Sequence, residues 1–238
     1  NPPPPPPPDQ PTFALHSGWG GSPESARKRD VERDGGETGG MDSTQWDDRY
    51  STSELIWTGR ANQFVEANLA DLEPGTAIDL GAGEGRNAVW LAARGWTVTA
   101  VDFSQVGLDK AQRLAADHGV TIATACADAT TWQPDGSVDL VVLSYLQLPS
   151  AQQRVVMEHA ATWLAPGGTL FVIAHDRSNV EHGHGGPPSP DVCYTVEESV
   201  AALDTLDITT AEVVERHVDT PDGMKTALDT LVIARRPL

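Results

Sequence analysis

The chain has 238 residues, enough to bury a sizeable core of its own. Its 16 Lys and Arg stand against 34 Asp and Glu, a net charge of −18. A field of that sign repels phosphate backbones and anionic lipid, so nucleic acid and membrane surfaces are excluded as expected partners. It favours a cationic ligand, although acidic chains are often acidic only for solubility.

The two cysteines, Cys126 and Cys193, form no CxxC pattern, which fits a reducing compartment. No apolar run approaches the ~20 residues that span a bilayer, and no charged-then-apolar leader opens the sequence. The expected location is the cytoplasm.

Pro2 to Pro8 form an unbroken proline run, and a Gly/Ser/charge mixture extends from Ser17 to Gly40. Such a stretch cannot bury enough apolar surface to offset its ordering entropy. Residues 1–40 are therefore expected to be a tail, or translated sequence upstream of a true start at Met41. Globular patterning begins there, giving one expected domain over 41–238.

From Met41 the elements follow in order. Residues 60–70 have a helical period, ended by Pro74-Gly75. TAIDL (76–80) reads as the first strand, and 84–94 as a helix stopped by Gly95. The second strand is 96–102. Ser104 caps a helix running to His118, with Gly119 as its stop. Strands are expected at 120–126 and 138–144, a helix at 150–164, and a fifth strand at 169–175 after Pro166-Gly167-Gly168. Thr195 with Glu198 makes a capping box. Two strand-like stretches at 207–215 and 226–235 are separated only by a turn around residues 221–223, so they should pair as an antiparallel hairpin. The expected fold class is α/β: a Rossmann-like three-layer sandwich whose seven-stranded, mostly parallel sheet has its last strand antiparallel.

The stretch IDLGAGEGR (78–86) joins the first strand to its helix. A glycine-rich turn there lets a ligand approach the backbone closely. The spacing is GxGxG rather than the dinucleotide GxGxxG, and Asp79 stands two places before Gly81. A carboxylate beside the loop repels a pyrophosphate and suits an ammonium or sulfonium group. Glu84 adds to that sign, and both acids have a structural alternative in binding nearby backbone. Asp102 ends the second strand, where a carboxylate can accept from ribose hydroxyls. Asp128 follows the third strand, beside Ala129.

This set, with Asp139-Leu-Val-Val and Pro166-Gly167-Gly168, resembles the class I S-adenosylmethionine-dependent methyltransferases. GEGRNAVWLAARGW (83–96) and WDDRY (46–50) look more like the bacterial small-molecule group, which includes the tellurite-resistance and thiopurine-type enzymes. The resemblance implies S-adenosylmethionine as cofactor. Gly81, Gly83 and Gly85 would admit its methionine end, and Asp79 would face its amino group through water. Asp102 would bind the ribose, Phe103 would pack on adenine, and Asp128 with Ala129 would read the adenine edge. The Ser144 carbonyl would meet the amino group. Trp46 and Tyr50 would close over the cofactor, with core or lid packing as the alternative for Trp46 and Trp57.

The carboxyl ends of the strands should carry the chemistry. His175 is the expected base if the acceptor must lose a proton, with Tyr145 and Asp176 behind it, and Arg177 could orient an anionic acceptor or pair at the surface. Residues 178–190 read as a mobile polar lid loop. His182-x-His184 beside Glu181 lacks a third fixed ligand, so no metal is expected. The expected partner is a small-molecule methyl acceptor. A non-catalytic S-adenosylmethionine-binding protein and a NAD-type oxidoreductase remain the alternatives.

Overall fold

A seven-stranded sheet in the order β3-β2-β1-β4-β5-β7-β6 organises the molecule. The strands are β1 (Thr76–Leu80), β2 (Thr97–Asp102), β3 (Ala123–Cys126), β4 (Val138–Ser144), β5 (Leu164–His175), β6 (Asp207–Thr220) and β7 (Gly223–Arg235). The structure, a computed structural model, describes residues 43–51, 55 and 59–238. The expected tail over 1–40 and Trp57 lie outside the described residues. Among those described, no helix is long and apolar enough to cross a membrane.

Strands β1 to β5 pair in parallel, each neighbour reached through a crossover. β7 pairs antiparallel with β5 on one side and with β6 on the other. The last strand is thus inserted between the two before it in the chain, and it pairs antiparallel with β6 because the turn between Thr220 and Gly223 is too short for a crossover. The fold class read from the sequence is the one observed.

Alternation along each strand sorts its side chains between two helical layers. Ile78, Leu80, Val141, Leu143, Leu170 and Val172 face α5 (Ser150–Trp163) and α7 (Val196–Ala202). Ala77, Val98, Ala100, Leu140, Val142 and Phe171 face α2 (Gln63–Leu69), α3 (Arg86–Ala93) and α4 (Gln105–Asp117). Asp79 points to this second side, into a core of Val, Leu and Ala. Helix α1 (Ser43–Tyr50) is tied to the start of α4, where Ser104 caps α4 through the Gly107 N–H and donates its own hydroxyl to Asp47.

Element boundaries differ from the sequence reading in a few places. β5 already begins at Leu164, so Pro166-Gly167-Gly168 lies within the strand rather than before it. β6 and β7 are longer than expected because each continues to supply hydrogen bonds to the other. At α7, Thr195 accepts from the Glu198 N–H, but the Glu198 carboxylate goes to Arg177 instead of closing the capping box. Residues 178–190 contain a short helix, α6 (Asn179–His182), and run into a single 3-10 turn at Pro190–Val192.

Gly85 caps α3 in a left-handed conformation, with φ at 77°. A Cβ there would fall 2.4 Å from the Ala111 Cβ of α4. Backbone strain and overpacking therefore act together at this position. Gly85→Ala should destabilise the chain by about 2–4 kcal/mol, read as a lowered urea midpoint with unchanged slope. An unchanged midpoint would refute the close packing of α3 on α4.

Candidate functional site

The carboxyl edge of the sheet is built around the turn from β1 to α3. Gly81, Gly83 and Gly85 all adopt positive φ. That curvature leaves amide donors without partners inside the loop, and two strand-end carboxylates supply them. Asp79 Oδ2 accepts from the Ala88 N–H at 3.0 Å, in the first turn of α3, where Gly85 has no side chain with which to cap. Asp102 Oδ2 accepts from the Gly83 N–H at 2.8 Å, and its Oδ1 accepts from the Ser104 N–H at 2.9 Å.

Asp79 is fully buried, and its Oδ1 has no hydrogen-bond partner among the described residues. Burial pushes its pKa up to about 7, against the Ala88 N–H and the charge of Arg86. An unpartnered buried carboxylate oxygen under a glycine loop suits an ammonium group. Asp102 is also raised by burial, and by nearby Asp47, while the Ser104 and Gly83 amides resist. Glu84 does not face a ligand: it makes a buried ion pair with Lys110 at 2.9 Å.

Above the loop, a cavity of about 60 Å³ lies among Gly81, Asp102, Phe103, Tyr145 and the segment 146–148, under Trp46 and Tyr50 of α1. Trp46 and Tyr50 stack at 5.4 Å, and a Cβ on Gly83 would meet the Tyr50 hydroxyl. Trp46, Tyr50, Gly81, Asp102 and Phe103 are thus brought together, with Asp79 and Gly83 beneath. Gly85 is not in this group, because it packs on α4. Asp128 is exposed past β3, where its Oδ1 accepts from the Thr130 N–H and hydroxyl, and Ala129 is buried beside it. Ser144 Oγ is buried without a partner at the end of β4.

A second cavity, about 160 Å³, is lined by Asn62, Arg86, Tyr145, His175 and Arg216. Tyr145 walls both. Its hydroxyl donates to Asp229 Oδ2 at 2.6 Å and accepts from Arg216 Nε at 3.1 Å. Burial, then the neighbouring Asp229 charge, pushes the phenol far above its usual range. The Tyr145 hydroxyl, expected behind His175 as part of the chemistry, is thus committed to Asp229 and Arg216. Asp176, the other residue expected behind His175, is engaged elsewhere: its Oδ1 accepts from the Ser178 N–H and hydroxyl, and its Oδ2 from the Thr230 hydroxyl. Arg177 is held by both Glu198 oxygens, away from the cavity.

His175 does line the cavity, and its Nδ1 lies 3.1 Å from Asp229 Oδ1. Burial would raise Asp229, but hydrogen bonds from His175, Arg216 and Tyr145 outweigh it and hold the carboxyl below the ordinary carboxylate range. An ionised carboxylate only accepts, so Nδ1 must be the protonated nitrogen. In the neutral form of such a ring the lone pair lies on Nε2, the tautomer a general base needs. The segment after α6 is pinned beside this ring rather than free above it. Asn179 donates to the Gly185 carbonyl and accepts from the Leu228 N–H, and a Cβ on Gly186 would lie 3.1 Å from His175 Nδ1.

Asp229, Arg216, Arg86 and Asn62 escaped sequence reasoning. Asp229 stands directly opposite His175 in the β5–β7 register, and Arg216 reaches it diagonally from β6. The available signal was one acid inside the apolar run ALDTLVIA (227–234), since charged residues are rarely buried without a partner. Among the described residues no group of three His, Cys, Asp or Glu is placed to hold a metal. His182 and Glu181 are exposed, 3.8 Å apart.

Residues 77–168 match the model of the methyltransferase domain. Ribosomal RNA small subunit methyltransferase C of Alcanivorax borkumensis is 33% identical over 109 residues, which cover 43% of this chain and 33% of that protein. Trans-aconitate 2-methyltransferase of Methylobacterium radiotolerans is 32% identical over 106 residues, 43% of this chain and 39% of that protein. The chain thus matches well under half the length of these two relatives. The crystal structure of the N-methyltransferase NodS from Bradyrhizobium japonicum, in complex with S-adenosyl-L-homocysteine, superposes with a TM-score of 0.62 at 20% identity, covering 83% of this chain and all of that one. These matches bear out the expected resemblance to S-adenosylmethionine-dependent methyltransferases and the expected fold.

Asp79 makes the site sensitive to pH. Its pKa is raised from 3.8 to about 7, so the folded chain keeps a proton that the unfolded chain loses between those values. The resulting stability is complete below about pH 4 and is lost as pH rises through about 7. Asp79→Asn can still accept the Ala88 N–H and removes the titration. Between pH 5 and pH 8 the wild type should lose about 2–4 kcal/mol relative to this variant in urea titrations. Parallel pH profiles would refute the buried, unpaired placement of Asp79.

Proposed function

We propose that the chain is an S-adenosylmethionine-dependent methyltransferase that acts on a small molecule at the carboxyl edge of its sheet. The observation that carries this reading is the pair of cavities sharing Tyr145 as a wall. One has the chemistry for a nucleoside with a cationic tail, and the other holds a histidine oriented by a buried carboxylate. The order β3-β2-β1-β4-β5-β7-β6 also departs from the dinucleotide-binding order 3-2-1-4-5-6, which weighs against a NAD-type oxidoreductase.

Bound S-adenosylmethionine would supply a methyl group already activated by its sulfonium. Asp79 Oδ1 is the acceptor for the ammonium group, joined by the Ser144 carbonyl. Asp102 has lone pairs left for the ribose hydroxyls after its two amide contacts, because each carboxylate oxygen accepts twice. Phe103 lies against the base, with Asp128 and the Ala129 amide at its edge. Trp46 and Tyr50 form the outer wall, and α1 must yield to admit a ligand larger than the present 60 Å³.

On the acceptor side the chain mainly aligns the reacting atoms. His175 removes a proton where the acceptor carries one, and Asp229 holds its tautomer. Tyr145 positions the wall between the cavities. A small-molecule acceptor is favoured over ribosomal RNA by the net charge of −18, although one relative is named for ribosomal RNA. Trans-aconitate methyltransferase offers the small-molecule precedent.

Calorimetry should show S-adenosylhomocysteine binding and no NAD binding. Asp102→Asn should weaken that binding roughly 10- to 100-fold, the worth of charge-assisted hydrogen bonds. His175→Ala should leave it unchanged while lowering turnover roughly 100-fold or more on an acceptor that must be deprotonated. Methyl-labelled cofactor with a metabolite panel identifies that acceptor. Tight cofactor binding with no labelled product from any metabolite would point instead to a non-catalytic binding protein.

A further inference from the structure

Three buried side-chain atoms make no hydrogen bond among the described residues: Asp79 Oδ1, Ser144 Oγ and His159 Nδ1. His159 stands by itself on α5, on the other side of the sheet. The first two are neighbours. β1 and β4 run side by side, with Asp79 opposite Val142 and Leu80 opposite Leu143. One further step along the ladder sets Ser144 beside Gly81, which lines the cavity over the glycine loop. Alternation puts Ser144 on the face of Leu140 and Val142, the face that Asp79 shares with Ala77. Neighbouring strands lie about 5 Å apart and two residues advance about 7 Å, so the two α-carbons stand roughly 8 Å apart on the diagonal.

That spacing keeps two short side chains from bonding each other and leaves both atoms within reach of one small group between them. Each atom is a cost to folding, because a polar atom taken from water without a partner recovers nothing. The shape of the fold does not require that cost at Ser144. Alanine there would continue the apolar face beside Val142 and Ile173, its neighbours on β4 and β5. Both atoms can accept: a carboxylate only accepts, and a hydroxyl carries two lone pairs. The charges around Asp79 leave that capacity unused. Arg86 and Asp102 act on it in opposite senses, and neither bonds Oδ1.

Building on the methyl-donor reading above, we propose that the Ser144 hydroxyl is the third acceptor for the methionine ammonium, completing a seat with Asp79 Oδ1 and the Ser144 carbonyl. An ammonium carries three N–H donors, and this seat offers one acceptor to each. The hydroxyl proton is then free to turn toward the carboxylate of the same amino-acid head. Specificity follows from the count. A thioether nucleoside without an amino group leaves Asp79 Oδ1 and Ser144 Oγ unpaired, and the site discriminates against it by the worth of those bonds. The nucleoside half, held by Asp102 and Phe103, is indifferent to Ser144.

The test is Ser144→Ala in the full chain, titrated in a calorimeter against S-adenosylhomocysteine and against its desamino analogue, which lacks only the amino group. Adenosine replaces the analogue as control where the analogue binds too weakly to measure. The wild type should bind the analogue about tenfold or more less tightly than S-adenosylhomocysteine. Ser144→Ala should weaken S-adenosylhomocysteine about tenfold and leave the control ligand within about twofold. The same variant should raise the urea midpoint of the ligand-free chain or leave it in place, because an unpaired buried hydroxyl has been removed. A residue that merely supported the fold would lower that midpoint and weaken both ligands alike. Unchanged affinity for S-adenosylhomocysteine in Ser144→Ala, an equal loss for both ligands, or a lowered midpoint would overturn the proposal and leave the methyl-donor reading standing. A wild type that ignores S-adenosylhomocysteine would overturn the methyl-donor reading, and this seat with it.

Discussion

Two buried carboxylates hold the turn from β1 to α3, and the site depends on that restraint. Three alternating glycines with positive φ give the turn its curvature, and each is a residue of high entropic cost to order. Asp102 binds the middle of the turn through the Gly83 amide, and Asp79 binds the far side through the Ala88 amide. The Glu84–Lys110 ion pair fastens the same turn to α4. These acids stand on strand ends that register fixes: Leu80 lies beside Val101 and Leu143 in the parallel ladders. The loop is therefore shaped by the sheet beneath it more than by its own sequence.

The same residues meet a competing demand. Asp102 satisfies two amides and keeps acceptor capacity, so holding the loop and accepting from a ligand are compatible. Asp79 is not fully satisfied, because one of its oxygens is buried with no partner. Burying a polar atom in that way costs about 1–3 kcal/mol. Folding alone gives no reason to keep such a group, whereas a cationic ligand at that oxygen does. The strained part of the loop and its destabilised carboxylate thus coincide with the proposed binding position, as functional sites in otherwise well-satisfied folds tend to.

The sequence carried the parallel half of the fold well. TAIDL and VDLVVLS matched β1 and β4 to the residue, since buried parallel strands are short apolar runs with clear ends. Asp79 was legible beside the glycines in sequence, and Asp102 at the end of the second strand. The acceptor side was not. His175 was visible at the end of β5, but the partner that orients it lies on β7, and Arg216 lies on β6. Which side chains meet across an antiparallel hairpin depends on register, and a one-residue slip would turn Asp229 to the other face. Asp176 and Arg177 adjoin His175 in sequence, but the chain turns away after β5 and gives them Thr230 and Glu198 as partners.

Tyr145 links the two halves. It is the one non-glycine among the described residues with positive φ, at 55°, a conformation that costs a side-chain-bearing residue about 1–2 kcal/mol. Its amide is fixed by the Ile173 carbonyl at 2.8 Å, and its hydroxyl by Asp229 and Arg216. Tethered at both ends, the ring cannot follow a ligand. What the tether does achieve is placement. The left-handed turn sends the ring across the end of β4, so one side chain bounds the cavity over the glycine loop and the cavity under His175. Two ligands seated there must meet at the edge of that ring, which makes alignment a property of the backbone at Tyr145 rather than of any group that titrates.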